Sequence, residues 1–345
     1  MIPHSRPTLG KEETAAALAV LRTGRIAQGE RVAAFEKALA AQVGVGDAAA
    51  VSSGTAALQL ALLALEIGEG NEVVIPSFVC SALLHAVRAV RAVPVPADID
   101  RETLNIDIRD LRRRLTKKTR AVIIPHLFGL PADIAPIVAL GIPVIEDCAQ
   151  ALGSRYGGAP TGSFGVLSVF SFYATKVICT GEGGMVAGND AELIGKIRDL
   201  REYDEREDDR PRFNLKMTDL QAALGLSQLQ RLPMMIARRR EIAEQYDASL
   251  RGLPVSLPAR PSRSEPIHYR YVIRTARAAD LLASGDAAGI AYRRPVFKPL
   301  HRYLGLDGYP ETEAAFAECV SLPIYPSLRS AEVNTVLRHL RSILG

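Results

Sequence analysis

Between Asp47 and Gln150 the chain alternates strand-like runs with helical ones, and that alternation leaves few folds open. "RAVIIPHLFG" and "IPVIEDCAQ" carry the β-branched runs of strands buried on both faces. "NEVVIPSF" and "AVPVPADI" read as further strands. "DAAAVSSGTAALQLALLAL" reads as a short strand, a small-residue turn at Ser52 to Thr55, and a helix from Ala56 onward. "SALLHAVRAV" and the crossover segment "DIAPIVAL" supply helices between strands. Strands separated by helices predict an α/β domain with a mostly parallel sheet and flanking helices. Ligands of such sheets collect at the carboxyl ends of the strands. Ser53 to Thr55, Ser77 to Cys80, His126, Asp147 and Gln150 all fall there.

Outside this block, Lys11–Gly24 and Arg31–Gly44 have helical spacing and stop at glycine. Asp199–Arg212 is dense in mixed charge and reads as a solvated excursion, and Met217–Leu232 returns to helix. Beyond Arg240 come a long helix, the proline-rich link "GLPVSLPARPSRSEP" and the strand "HYRYVIR". The expected division is a large domain over residues 1–240 and a smaller α+β domain over 241–345. With 345 residues, 48% of them hydrophobic and 23% charged, the chain can build a substantial core. A net charge of +4, with no basic block rich in aromatics, argues against nucleic acid as a partner. Cys80, Cys148, Cys179 and Cys319 show no paired spacing, so neither a disulfide framework nor a metal site is expected. No secretory leader and no membrane-spanning apolar run is read from the sequence, which sets a cytoplasmic expectation.

Three features carry chemistry. In "SSGTAALQLAL" small residues let backbone approach an anion closely, and the helix that follows offers free amides and a positive dipole end. Asp147 ends an apolar strand, where an unpaired carboxylate is costly, so it needs a cation or several donors; a helix cap would also satisfy it. Its neighbour Glu146 is expected to point the other way, into the sheet flank or solvent. Lys176 lies in the apolar run "SVFSFYATKVICTGEGGMV", where burial would favour its neutral, nucleophilic amine; a snorkelling surface lysine is the alternative. A phosphate cradle, an acid and a desolvated amine on successive strands are what pyridoxal 5'-phosphate requires for its phosphate, its pyridine nitrogen and its aldehyde.

The chain resembles the StrS/DegT-type sugar aminotransferases, pyridoxal-phosphate enzymes of the aspartate aminotransferase-like fold type I. The resemblance rests on "SSGTAALQLAL", "VIPSF", "VIEDCAQALGSRYGG", "GSFGVLSVFSFYATKVICTGEGGMV", "FNLKMTDLQAALGLSQLQRL" and "ECVSLPIYPSL", in that order. It implies that Lys176 forms the Schiff base and shuttles the proton, and that Asp147 pairs with the pyridine nitrogen. It further implies that Gln150 contacts the ring, and that Ser53, Gly54, Thr55 and Ser171 hold the phosphate. Asn214 would reach the cofactor of a partner subunit, which makes the protein a homodimer with shared active sites.

There are departures from the family pattern. Cys80 stands where an aromatic side chain commonly stacks on the ring, with Phe78 as a possible substitute. Lys216 replaces a familiar arginine. "AYRRPVFKPLH" replaces the usual substrate segment and brings Arg293, Arg294, Lys298 and His301 near the site, where cations could meet a diphosphate or a carboxylate. His126 and His268 read as structural. The implied reaction takes an amino group from glutamate or glutamine, through the pyridoxamine form, to the keto carbon of a nucleotide-linked sugar. A cyclitol or other non-nucleotide acceptor is the nearest alternative, and a non-catalytic cofactor-binding regulator is a more distant one.

Overall fold

The sheet-forming residues sort their side chains by strict alternation, and both sets are buried. In the computed structural model, which describes residues 1–345, seven strands make one sheet: β1 (Asp47–Val51), β2 (Glu72–Pro76), β3 (Val93–Ala97), β4 (Thr119–Pro125), β5 (Val144–Asp147), β6 (Leu167–Ser171) and β7 (Gly184–Gly188). Their order is β1-β7-β6-β5-β4-β2-β3. Pairing is parallel from β3 through β6, while β7 runs antiparallel to both β6 and β1.

On β1, Ala49 and Val51 join one core layer while Ala48 and Ala50 join the opposite one; on β7, Val186 faces the first layer and Met185 and Ala187 the second. The first layer is closed by the helix Gly54–Ala64 and by Ala82–Ala89 and Ala191–Leu200. The second is closed by Glu30–Val43 and by the long helix Asp219–Leu250. A large aliphatic or aromatic side chain buried this fully contributes about 1.5–3 kcal/mol, so sheet and covering helices hold each other in register.

The expected crossover helix in "DIAPIVAL" is one turn, Ala135–Val138. The long helix passes unbroken through Arg240 and Glu241. From Ile242 onward its buried residues belong to a separate core, built with the antiparallel pair Tyr271–Arg274 and Cys319–Leu322, the helix Ser330–Leu344, and Ile2 from the amino-terminal end. Ile2 reaches that core by exchanging backbone hydrogen bonds with Gly289 and Ala291. No helix is long and apolar enough to cross a membrane.

Candidate active site

The carboxyl ends of β5 and β6 and the turn after β1 meet at one place. Ser53 caps the helix Gly54–Ala64, its Oγ accepting the Ala56 N–H at 3.1 Å. The remaining amides of that first turn have no acceptor inside the helix, and exposed Thr55 opens it to solvent. Gly54 is required by closeness: a Cβ there would stand 2.7 Å from Ser171 Cβ, so Ser171 packs directly beneath the turn. The glycines after Lys176 serve the same turn from the other side. A Cβ on Gly184 would lie 2.3 Å from the Ser53 carbonyl oxygen.

Asp147 is 7% exposed, and one of its oxygens accepts the Ala149 N–H at 3.0 Å. Burial pushes its carboxyl above the usual range; the Ala149 amide and the charge of Lys176 pull the other way without cancelling the effect. Such an acid gains from a cation placed against it. Lys176 takes part in no ion pair; the lysine ion pairs of the chain belong to Lys196 and Lys216. Its Nζ lies 5.5 Å from the centre of the Tyr269 ring. Cys80 is the one exposed cysteine of the four. Burial raises that thiol, with Lys176 pulling it down and Asp147 pushing it up.

Gln150 reaches the adjacent loop, where its Oε1 accepts the Phe128 N–H at 2.8 Å. Phe128 is a non-glycine residue held at φ 60°. A strained backbone position of this kind persists where the surroundings over-determine it. Here Gln150 holds its amide while its carbonyl accepts the Arg270 N–H.

An amide-rich helix end crowded by Ser171, a buried acid lacking a cation, and an amine without a carboxylate partner together fit pyridoxal phosphate. The model of the DegT/DnrJ/EryC1/StrS aminotransferase family matches residues 7–341. The chain belongs to that family. It is 35% identical over 353 residues to the GDP-perosamine synthase of Escherichia coli O157:H7, covering 96% of this chain and 95% of the relative. Among solved structures, the aminotransferase TlmJ of Streptoalloteichus hindustanus superposes with a TM-score of 0.94 at 34% identity, over 99% of this chain and 98% of its own. A candidate sugar aminotransferase of Streptococcus pneumoniae, Spr1654, solved in a PLP form, gives 0.94 at 28% identity, over 99% and 98%. The protein is a pyridoxal-phosphate-dependent aminotransferase of fold type I. When bound, the cofactor supplies an aldehyde for a Schiff base and a ring that accepts electrons.

The structure brings Lys176, Asp147, Ser53, Gly54, Thr55, Cys80 and Ser171 into one region. Gln150 borders it with its side-chain oxygen already engaged. Asn214 is exposed, and the neighbouring Leu215 carbonyl accepts the Ser52 N–H at 2.7 Å, so this segment runs along the phosphate-type turn.

Some expectations need correction. Phe78 does not substitute for a ring over Cys80: it is fully buried, edge-on to Phe128 at 6.4 Å. Glu146 does not reach solvent or a bare sheet flank. Alternation turns it away from Asp147, but that face is covered too, and it is 0% exposed. Its Oε1 accepts the N–H groups of Phe164 and Gly165, and its Oε2 accepts Gly162 N–H and His126 Nε2–H. Burial pushes this carboxyl up, and the His126 and amide donors outweigh that and hold it below its ordinary value. Among the cations of "AYRRPVFKPLH", His301 is buried between Ser77 Oγ and Glu313, and Arg294 lies over the Phe316 ring. Arg293 remains exposed.

Tyr269 was not legible as a site residue. It stands in the strand-like run "HYRYVIR", and nothing in that pattern shows which ring will face a lysine more than ninety positions earlier. Burial pushes its phenol up, but the positive charges of Lys176 and Arg270 outweigh that and hold it below its ordinary value.

Proposed function

We propose that the protein aminates the keto carbon of a nucleotide-linked sugar, with glutamate or glutamine as donor, and that it works in the cytoplasm as a homodimer with shared active sites. In this reading Lys176 holds the cofactor and carries the proton between it and the substrate carbon. Asp147 faces the pyridine nitrogen, and Gln150 and Cys80 border the ring. Ser53, Gly54, Thr55 and Ser171 receive the phosphate, and exposed Asn214 extends toward the cofactor of the partner.

The observation that carries the site assignment is the meeting of a buried, cation-seeking Asp147 with a Lys176 that has no carboxylate partner, beside an open helix end. The acceptor class is supported by the likeness to a GDP-perosamine synthase along almost the whole chain. Charge supports it too: Arg270 takes part in no ion pair and lies 5.7 Å from the centre of the same Tyr269 ring that Lys176 faces, a guanidinium beside the site that a diphosphate could meet.

The test is a two-stage spectrum. L-glutamate or L-glutamine should abolish the visible absorbance of the loaded wild type, and a nucleotide-linked keto sugar should restore it. Lys176→Ala should show no such band. A band that ignores both donors would overturn the donor assignment. Restoration by a keto-cyclitol but by no nucleotide sugar would overturn the acceptor.

A further inference from the structure

We propose that Tyr269 is the positioning residue of the Lys176 amine: its ring face is where the ammonium rests whenever the lysine is not joined to the cofactor. This rests on the reading of Lys176 given above.

Lys176 Nζ sits 5.5 Å from the Tyr269 ring centre and makes no ion pair, and Arg270 lies 5.7 Å from the centre of the same ring, so the tyrosine π system is an attractive surface beside the amine that the two cations share. The tyrosine is itself fixed on several sides. It is 6% exposed, and its carbonyl accepts Arg239 Nη1–H at 3.1 Å. Its backbone nitrogen lies against Gly129, where a Cβ would come within 2.8 Å. Its hydroxyl stands 3.4 Å from Thr175 Oγ1, on the residue immediately before the lysine. Ring and hydroxyl thus address both the amine and the backbone that carries it.

Arg239 lies on the long helix and donates also to the Ile324 carbonyl at 3.0 Å, so the seat of the amine is tied to the second core. Tyr269 enters no bond change. It keeps a four-carbon side chain aimed at the place where the cofactor aldehyde arrives, instead of letting it sample open rotamers.

The experiment uses full-length apoprotein and two probes. Pyridoxal 5'-phosphate reports capture by the amine through the rise of visible absorbance. Pyridoxine 5'-phosphate has no aldehyde and reports the phosphate and ring site alone, by calorimetry. Tyr269→Leu should slow capture of pyridoxal phosphate about two- to fivefold, because the freed lysine samples rotamers that miss the aldehyde, and leave pyridoxine phosphate affinity within about twofold. Tyr269→Phe should restore most of the rate, since it keeps the ring. Capture at the wild-type rate by the leucine variant would overturn the proposal. So would an equal loss of pyridoxine phosphate binding, which marks a structural role. If Lys176→Ala develops the same visible band as wild type, the assignment of the lysine itself fails, a distinct result from either of these.

Discussion

Replacing Glu146 with glutamine tests whether the carboxylate behind the site is a structural anchor. The side chain is fully buried and receives donors on both oxygens: Phe164 and Gly165 amides on Oε1, Gly162 amide and His126 on Oε2. Glutamine has one acceptor oxygen. If that oxygen faces Phe164 and Gly165, the NH2 group meets the Gly162 N–H and the His126 Nε2–H. If the amide is reversed, it meets two backbone N–H groups. His126 cannot relieve the first case by moving its proton, because its Nδ1 accepts the Ala132 N–H at 3.0 Å. Either way two charge-assisted hydrogen bonds are lost, at about 1.5–3 kcal/mol each. We expect Glu146→Gln to cost about 3–5 kcal/mol, a large share of a total stability of roughly 5–15 kcal/mol.

Urea unfolding of the apoprotein measures this as a lower midpoint at unchanged m-value. The carboxyl is held below its ordinary value in the fold. Its stabilisation is therefore complete above the unfolded value of about 4.3 and is lost as pH falls through the folded one. The gap between wild type and variant should be constant from about pH 6 upward and should close in acid. A variant within about 1 kcal/mol of wild type at pH 7, or a gap that widens in acid, would refute the reasoning.

The phosphate turn and the thiol give two further tests. Gly54→Ala places a methyl 2.7 Å from Ser171 Cβ, so the helix start must lift off β6. We expect a loss of about 1–3 kcal/mol in thermal or urea unfolding and at least tenfold weaker pyridoxal phosphate binding; a fold and affinity equal to wild type would remove the close-packed cradle. Cys80 is the one exposed thiol of four, with Cys148, Cys179 and Cys319 buried. An aromatic disulfide reagent should therefore titrate one thiol in the native protein and four in denaturant. Burial raises that thiol, so its reaction should be slower than free cysteine at the same pH, and bound cofactor should slow it further.

Much of this protein is legible in its sequence, because local chemistry is written locally. The glycines of "TGEGG" and the small residues of "SSGT" mark backbone that approaches other backbone, and the strand runs mark a sheet covered on both faces. The antiparallel insertion of β7 between β1 and β6 is not written there, since alternation reports which faces are buried and says nothing of neighbour order or direction. Glu146 shows the same limit: its alternation with Asp147 was readable, but what covered its side of the sheet was not. Two apart, Phe78 and Cys80 would share a face in a strand, but the strand ends at Pro76 and the chain bends after it, so Phe78 enters the core against Phe128 while Cys80 stays exposed. Lys176, Asp147 and the turn at Ser53 are picked out by residue type and by their joint occurrence, since each alone has a bland alternative, a surface lysine, a cap or a tight turn. The seat of that amine on Tyr269, 93 residues away and held by an arginine from the long helix, was decided only when two cores packed against each other. Contacts between distant segments depend on the packing of whole elements, and no local period encodes them.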